Sequence, residues 1–412
     1  MEGKRILFFN RFYWPDESAT AQILVDLAEH LASENHSIKI VTSRLRYETS
    51  RGTPLLPASE SHNGVEISRL WSTSFGRGYL FGRLLDYLSI YMSFFCYLLF
   101  GTRPGDIVVV KTDPPLLSIL GWIAGVTKPI KLVSWCQDLF PEVAEHALGS
   151  GTLTRPAYAV LKGLRNTSLN KCDMVVVLSE DMKNHLLRQG TRSHIEILPN
   201  WAIQTACQDR VSFENLRQEW NLSERIILGY SGNLGRAHDV DTFINAAVDF
   251  GELEQLTMLF IGGGAGLQKV RHNLNPKALK NTVFLPYQPK DILSESLRVP
   301  DIHWFSLNPE MNAHVYPSKF YGILQSGRPV IFVGDPDSEL ARMIRQYNCG
   351  LVAAPGDSRG LYKCVRSLYE NEELRKEMGS NALDLDRRVT NRASSLKRWE
   401  TALTRLMKIN DL

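Results

Sequence analysis

Cysteine is sparse and scattered in this 412-residue chain: Cys96, Cys136, Cys172, Cys207, Cys349 and Cys364 lie far apart and include no C-x-x-C pair. That spacing excludes a zinc knuckle and a disulfide framework, and it suits a reducing compartment. An excess of one charge is also missing, because 47 Lys and Arg stand against 44 Asp and Glu for a net +3. Nucleic acid is therefore not an expected partner, since nothing concentrates cations on one face. Long hydrophobic runs are lacking too. The most apolar stretch, Tyr79 to Phe100, has an uncharged, largely apolar part of only about 14 residues after Asp86, against the roughly 20 that a helix needs to span a bilayer. No cleavage site follows the basic start M-E-G-K-R-I-L-F-F-N, which reads as a first strand and leads to an expected cytoplasmic location. The glycine cluster F-I-G-G-G-A-G-L-Q-K has Leu267 where a G-x-G-x-x-G pattern needs its third glycine, which disfavours NAD.

What remains is ordinary globular material, 44% hydrophobic and 22% charged, in a chain long enough for two cores. Short apolar runs alternate with longer helical patterns, the mark of β-α-β units around a buried parallel sheet. In the first half the runs are Ile6–Phe9, Ile38–Val41, Ile107–Val110, Ile130–Ser134 and Met174–Leu178. The alternation restarts at Ile226–Tyr230 and continues through Thr257–Ile261, Thr282–Leu285, Asp301–Phe305 and Pro329–Phe332. Two Rossmann-like domains in series are expected, at 1–200 and 201–385, with a linker near Pro199 to Arg210. A basic helical tail over 386–412 is expected to pack back on the first domain.

Tyr79 to Phe100 has Arg77 and Arg83 at its start and Arg103 just after it. Such a segment either lies in a membrane interface, with Phe94, Phe95 and Leu98 in the lipid, or packs as a core helix on the sheet.

Two segments carry phosphate-binding chemistry. Tyr230 to Arg236, Y-S-G-N-L-G-R, is a glycine turn after an apolar strand, where backbone N–H groups around Gly232, Asn233 and Gly235 would face a phosphate and Arg236 would add charge. Read alone, the same turn is also a plain strand-to-helix connection. Tyr316 to Val330, Y-P-S-K-F-Y-G-I-L-Q-S-G-R-P-V, sets Ser318 and Lys319 at a helix start. The helix dipole opposes a lysine there, so a bound anion explains Lys319 better than local stability does. A second glycine turn at Gly264 would line a nucleotide cleft at the carboxyl edge of the sheet. Toward the N-terminus, Asp16, Glu17 and Ser18 sit at a loop-to-helix junction, as ligand contacts or as caps. Gln137 and Asp138 follow a buried strand, where they would hold a sugar hydroxyl or cap a helix.

In order along the chain, Y-W-P-D-E-S-A-T-A-Q, Q-D-L-F-P-E, S-G-N-L-G, F-I-G-G-G, F-L-P-Y-Q-P-K and P-S-K-F-Y-G-I-L-Q-S-G-R-P-V resemble the family 4 glycosyltransferases. Those are retaining enzymes of GT-B fold, an α/β architecture with two Rossmann-like domains facing across a cleft. The bacterial members that build O-antigen, capsule and exopolysaccharide are the most similar. The resemblance implies a nucleotide diphosphate sugar, expected to be a UDP-sugar, bound by the second domain. Gly232, Asn233, Gly235, Arg236 and Lys319 would hold the diphosphate, with Arg236 and Lys319 as the catalytic cations, and Tyr287 would line the base. The first domain would bind the acceptor, a lipid-linked oligosaccharide or polysaccharide, at a membrane surface. No metal or other cofactor is expected, because the protein need only supply positive charge and positioning. The sequence departs from the family at a pair of glutamates flanking Lys319, whose places fall to His314 and Gly322, and Glu339 is the candidate to replace one of them. The family's Arg and Lys in the first turn are Asn233 and His238, and a histidine frequent at the position of Gln137 is absent. A nucleotide-sugar epimerase and a degenerate partner subunit are the alternatives.

Overall fold

Fourteen strands, most of them short runs of Val, Ile, Leu and Phe, build two separate sheets among the residues described by the computed structural model: 4–46, 54–75, 80–149, 151–152, 154–203 and 212–408. Arg77, Tyr79, Cys207 and most of the expected linker lie outside them. The chain divides into two compact units, one comprising 1–200, 313–316 and 393–412, the other 201–312 and 317–392.

The first unit holds β1 (Arg5–Phe9), β2 (Ser37–Ser43), β3 (Ser59–His62), β4 (Val65–Leu70), β5 (Ile107–Lys111), β6 (Lys131–Trp135), β7 (Met174–Val177) and β8 (Ile195–Ile197). Their order is β3-β4-β2-β1-β5-β6-β7-β8, parallel throughout except for the β3–β4 hairpin. Full burial on both faces explains why β5 reads I-V-V-V-K without alternation. The hairpin is not among the expected strands, although its alternating V-E-I-S-R-L strand and Asn63-Gly64 turn, both residues at positive φ, are the usual hairpin signals. Residues 313–316 join this unit through an antiparallel bridge between Asp138 and Val315 and a 2.7 Å hydrogen bond from Leu139 N–H to the His314 carbonyl. The final helix, Arg392–Lys408, packs Trp399 on Trp135 with ring centroids 4.4 Å apart. Residues 386–390 form a π-helical turn that remains with the second unit, so the tail divides at Arg392 rather than at 386.

Helix α1 (Ala19–Ser33) follows β1, helix α2 (Leu80–Phe100) precedes β5, and helix α3 (Leu117–Thr127) follows it. One stripe of α2, Ile90, Phe94 and Leu98, is fully buried, with Phe94 edge-on to Phe9 at 5.6 Å. Phe94 and Leu98 are thus core residues, as the core-helix alternative has them and not the lipid one, while Phe95 is half-buried. Each buried side chain of this size contributes about 1.5–3 kcal/mol. The opposite stripe, Leu84, Leu88, Met92, Cys96 and Phe100, is exposed at four-residue spacing, with Phe100 at 83%. The one acid of α2, Asp86, is buried and accepts from Thr73 Oγ1 (2.7 Å) and Phe75 N–H (2.9 Å). No described helix is long and apolar enough to cross a membrane.

The second unit holds β9 (Ile226–Asn233), β10 (Leu256–Gly263), β11 (Thr282–Leu285), β12 (Ile302–Ser306), β13 (Val330–Val333) and β14 (Gly350–Ala353) in the order β11-β10-β9-β12-β13-β14, all parallel. This is the doubly wound arrangement, in which the strand order reverses between β9 and β12 and opens a crevice at their carboxyl ends.

Candidate functional site

The carboxyl ends of β9 and β10 run into two glycine turns that lock together. Leu234 N–H donates to the Gly263 carbonyl (2.8 Å) and Gly266 N–H donates to the Leu234 carbonyl (2.7 Å). Close approach requires glycine here. A Cβ on Gly262, at φ +126°, would lie 2.4 Å from the Gly232 carbonyl oxygen, and one on Gly264, at φ +110°, would lie 2.3 Å from Asn233 Oδ1. Gly264 precedes the helix Ala265–Asn273, and Tyr287, 58% exposed, lays its ring over Gly262 and Gly263.

Across the switch point, Lys319 is the first residue of the helix Lys319–Ser326, as the P-S-K segment predicts. Its ammonium is half-buried and makes no ion pair among the described residues. It donates to the Tyr230 hydroxyl, to the Asn233 carbonyl (3.3 Å) and to His238 Nε2 (3.1 Å), and it stands 4.4 Å from the centre of the Tyr230 ring. Burial brings its pKa down to about 7. His238 can accept because its other nitrogen, Nδ1, is committed to the Ser306 carbonyl, which only accepts. Burial first, and the Lys319 charge second, hold this imidazole at about 3, so it is neutral at physiological pH. Tyr230 in turn donates to the Asn233 carbonyl at 3.0 Å. Two buried hydroxyls at the same strand ends, Ser231 Oγ and Ser306 Oγ, have no hydrogen-bond partner among the described residues.

The second unit therefore gathers Gly232, Asn233, Gly235, Gly264, Tyr287 and Lys319 at one sheet edge. Arg236 and Asn233 are exposed on the first turn, and the Arg236 carbonyl accepts from Asn308 Nδ2 at 3.2 Å. Ser318 is exposed and gives the helix no side-chain cap. Glu339 opens the helix that follows β13, half-buried at the same edge. Tyr230 and His238 were not singled out as site residues in the sequence. The signal was the pairing of a histidine in the first turn with the lysine of P-S-K, which only the fold makes adjacent.

The remaining candidates belong to the first unit. Asp16 is buried and accepts from Ser18 N–H at 2.8 Å, a turn-closing role at the start of α1, while Ser18 Oγ is buried without a partner and Glu17 is exposed. Gln137 is turned inward and exchanges two hydrogen bonds with Asn200, at 2.8 and 3.2 Å, so its carboxamide closes a core contact. Asp138 keeps a solvent-open side chain, yet the protein packed about its carboxyl, and then the charge of Asp113, push it up to about 6. His314, in place of a family glutamate, sets its ring edge-on to His185 at 4.7 Å. Beside it, Glu142 accepts from Arg165 Nη1 (2.7 Å) and contacts His185 Nε2 (3.2 Å). No group of three or more described His, Cys, Asp or Glu residues converges as a metal-ligand set.

Two doubly wound sheets with a glycine-lined crevice in the second are the architecture of GT-B glycosyltransferases. HepE of Anabaena, solved with UDP and glucose, superposes with a TM-score of 0.70 at 15% identity, over 98% of this chain and 100% of that one. The family models for a glycosyl transferase 4-like domain and for glycosyl transferases group 1 match residues 18–201 and 212–384. The chain belongs to the family 4 glycosyltransferases. Among its relatives, a colanic acid biosynthesis glycosyl transferase of Escherichia coli named as WcaI is 23% identical over 92% of this chain and 96% of its own length. A Pseudomonas aeruginosa protein named as the glycosyltransferase WbjE is 25% identical over 65% of this chain and 67% of its own.

Proposed function

We propose that this glycosyltransferase moves a hexose from a UDP-sugar, with retention at the anomeric carbon, onto a lipid-linked or polysaccharide acceptor in the assembly of a cell-surface polysaccharide. The observation that carries the reading is the Lys319 ammonium, held by three neutral acceptors and no carboxylate, at the switch point beside two glycine turns. A buried cation without a counter-charge is suited to an anion that arrives with the substrate. Lys319 and Arg236, with the N–H groups of the Gly232–Gly235 turn, would take up the diphosphate, Ser18 would approach the donor sugar, Tyr287 would stack on the base, and Glu339 would hold the donor's hydroxyls. As the bond from C1 to the phosphate oxygen breaks, its electron pair leaves with the diphosphate. The acceptor oxygen bonds C1 on the same face, and its proton passes to the departing phosphate. The charge that builds on that phosphate is where Lys319 would act. Asp16, Glu17, Gln137 and Asp138 would serve the acceptor through the first unit, Gln137 indirectly, by fixing Asn200. With side-chain cations in this role, transfer is expected to persist in excess chelator.

The relatives' names support the setting, since WcaI is named for colanic acid biosynthesis, and the HepE complex with UDP supports the donor. The exposed stripe of α2, with Arg103 after it, supports work at an anionic membrane face. The test is to present UDP-, GDP- and ADP-sugars with membrane lipid extract and follow nucleotide release and product anomeric configuration by NMR. UDP release with a retained linkage is expected. Inverted product, epimerised donor or turnover confined to another nucleotide would overturn the reading.

A further inference from the structure

At the end of the second sheet away from the glycine turns, a depression of about 260 Å³ is lined by Asp301, Gly327, Arg328, Pro329, Glu372, Arg375 and Lys376. Its charges do not cancel. Asp301 Oδ2 is taken by Arg217 Nη2 (2.5 Å) and Ile227 N–H (2.8 Å), and Glu372 is paired with Lys376 at 2.7 Å. Among the described residues neither Arg328 nor Arg375 makes an ion pair, although Asp301 and Glu372 attract them at longer range. Arg328 gives Nε and Nη2 to the Arg298 carbonyl (3.1 and 2.7 Å), which leaves Nη1 without a protein acceptor. Arg375 gives Nη1 to the carbonyls of Leu368 (2.5 Å) and Tyr369 (3.0 Å), with its other nitrogens unclaimed. Behind the depression, the Arg298 and Arg328 guanidinium carbons both lie over the Phe213 ring, at 4.6 and 5.3 Å, and Arg217 Nε is buried without an acceptor. Burial and the neighbouring arginines lower the Arg328 pKa, although Asp301 opposes this. Two arginines stacked on one ring with a third, Arg217, near enough to repel Arg328, beside a cavity lined by two guanidiniums that make no ion pair, form an environment that an oxyanion relieves.

We propose that this depression binds a phosphate-type anion, a phosphate monoester or diphosphate group, between the Arg328 and Arg375 guanidiniums. It is separate from the donor crevice but joined to it by one element. Gly327, which lines the depression, caps the same helix that begins with Lys319, and eight residues make that helix only about 12 Å long. An anion at one end is thus positioned to bias the lysine at the other. The inference does not depend on the nucleotide carried by the donor.

Titration of the full chain with inorganic phosphate and pyrophosphate, in the presence of saturating UDP, followed by 31P line broadening and thermal midpoint, tests this. Wild type and Lys319→Ala are expected to bind alike, while Arg328→Gln and Arg375→Gln each weaken binding at least tenfold. Arg375→Gln covers the case in which loss of Arg328 disturbs the fold, because it leaves the Phe213 cluster intact. Absence of binding to wild type, binding by both arginine variants as tight as that of wild type, or loss of binding in Lys319→Ala alone would overturn the proposal.

Discussion

Lys319 Nζ donates to His238 Nε2 at 3.1 Å, a lysine held by a histidine that burial and the lysine's own charge keep neutral, while its Nδ1 is bound to the Ser306 carbonyl. The pair places a cation of adjustable protonation at the centre of the crevice, and its first consequences concern protons.

With its pKa near 7 in the folded chain and 10.5 unfolded, Lys319 carries less proton than the unfolded state between those values. Its burial therefore costs stability below pH 7, and this cost is relieved as pH rises toward 10.5. A bound diphosphate restores the charged form. UDP binding at pH 7.5 to 8 is expected to take up roughly half a proton or more, measured by calorimetry in buffers of different ionisation enthalpy. In Lys319→Ala that uptake should vanish and kcat should fall about 10²–10⁴-fold with the circular dichroism unchanged.

His238→Phe removes an acceptor from the charged form of Lys319 and leaves a ring of similar size. The lysine pKa should drop further, moving the alkaline limb of the kcat/KM profile to lower pH by about one unit. His238→Gln, which keeps an acceptor, should restore most of the wild-type profile. A profile indifferent to both changes would sever the histidine from the lysine.

In the first unit, Glu142 is buried with Arg165, and although desolvation disfavours its charge, the His185 hydrogen bond and the Arg165 cation prevail and hold it at about 2. Its contribution is present above pH 4.5 and is lost as the pH falls toward 2. Glu142→Gln strands Arg165 and should lower stability by about 3–5 kcal/mol at pH 7, with a smaller difference at pH 3, measured by urea unfolding.

Leu84→Ser, Leu88→Ser and Met92→Ser together should weaken binding to anionic vesicles several-fold and shift the thermal midpoint little, because these side chains are exposed. Phe94→Ser, on the buried stripe, should instead cost about 3–5 kcal/mol of stability. Co-sedimentation with vesicles beside thermal melts separates the two outcomes.

The strands that frame the crevice were legible because both faces of a parallel sheet are covered, which leaves uninterrupted apolar runs such as I-V-V-V in β5. The glycine turns were legible because no other residue fits the gap between Gly232 and Gly262. The two faces of α2 were not, since a helix apolar all round has no periodicity to say which stripe meets the sheet. His238 was passed over as an acceptor because its role depends on a carbonyl 68 residues away. Gln137 read as a ligand because Asn200, which occupies its amide, is 63 residues distant.

The interlocked turns of β9 and β10 present peptide N–H groups, which every amino acid but proline possesses. Mutation at positions other than Gly262 and Gly264, where a Cβ would collide, can reshape what surrounds such a cradle without erasing it. On the proposed function, selection for a new sugar or base would have Asn233, Tyr287 and Glu339 to work on, while the grip on phosphate would be inherited with the chain trace. A lineage built this way can change what it transfers far more easily than how it holds it.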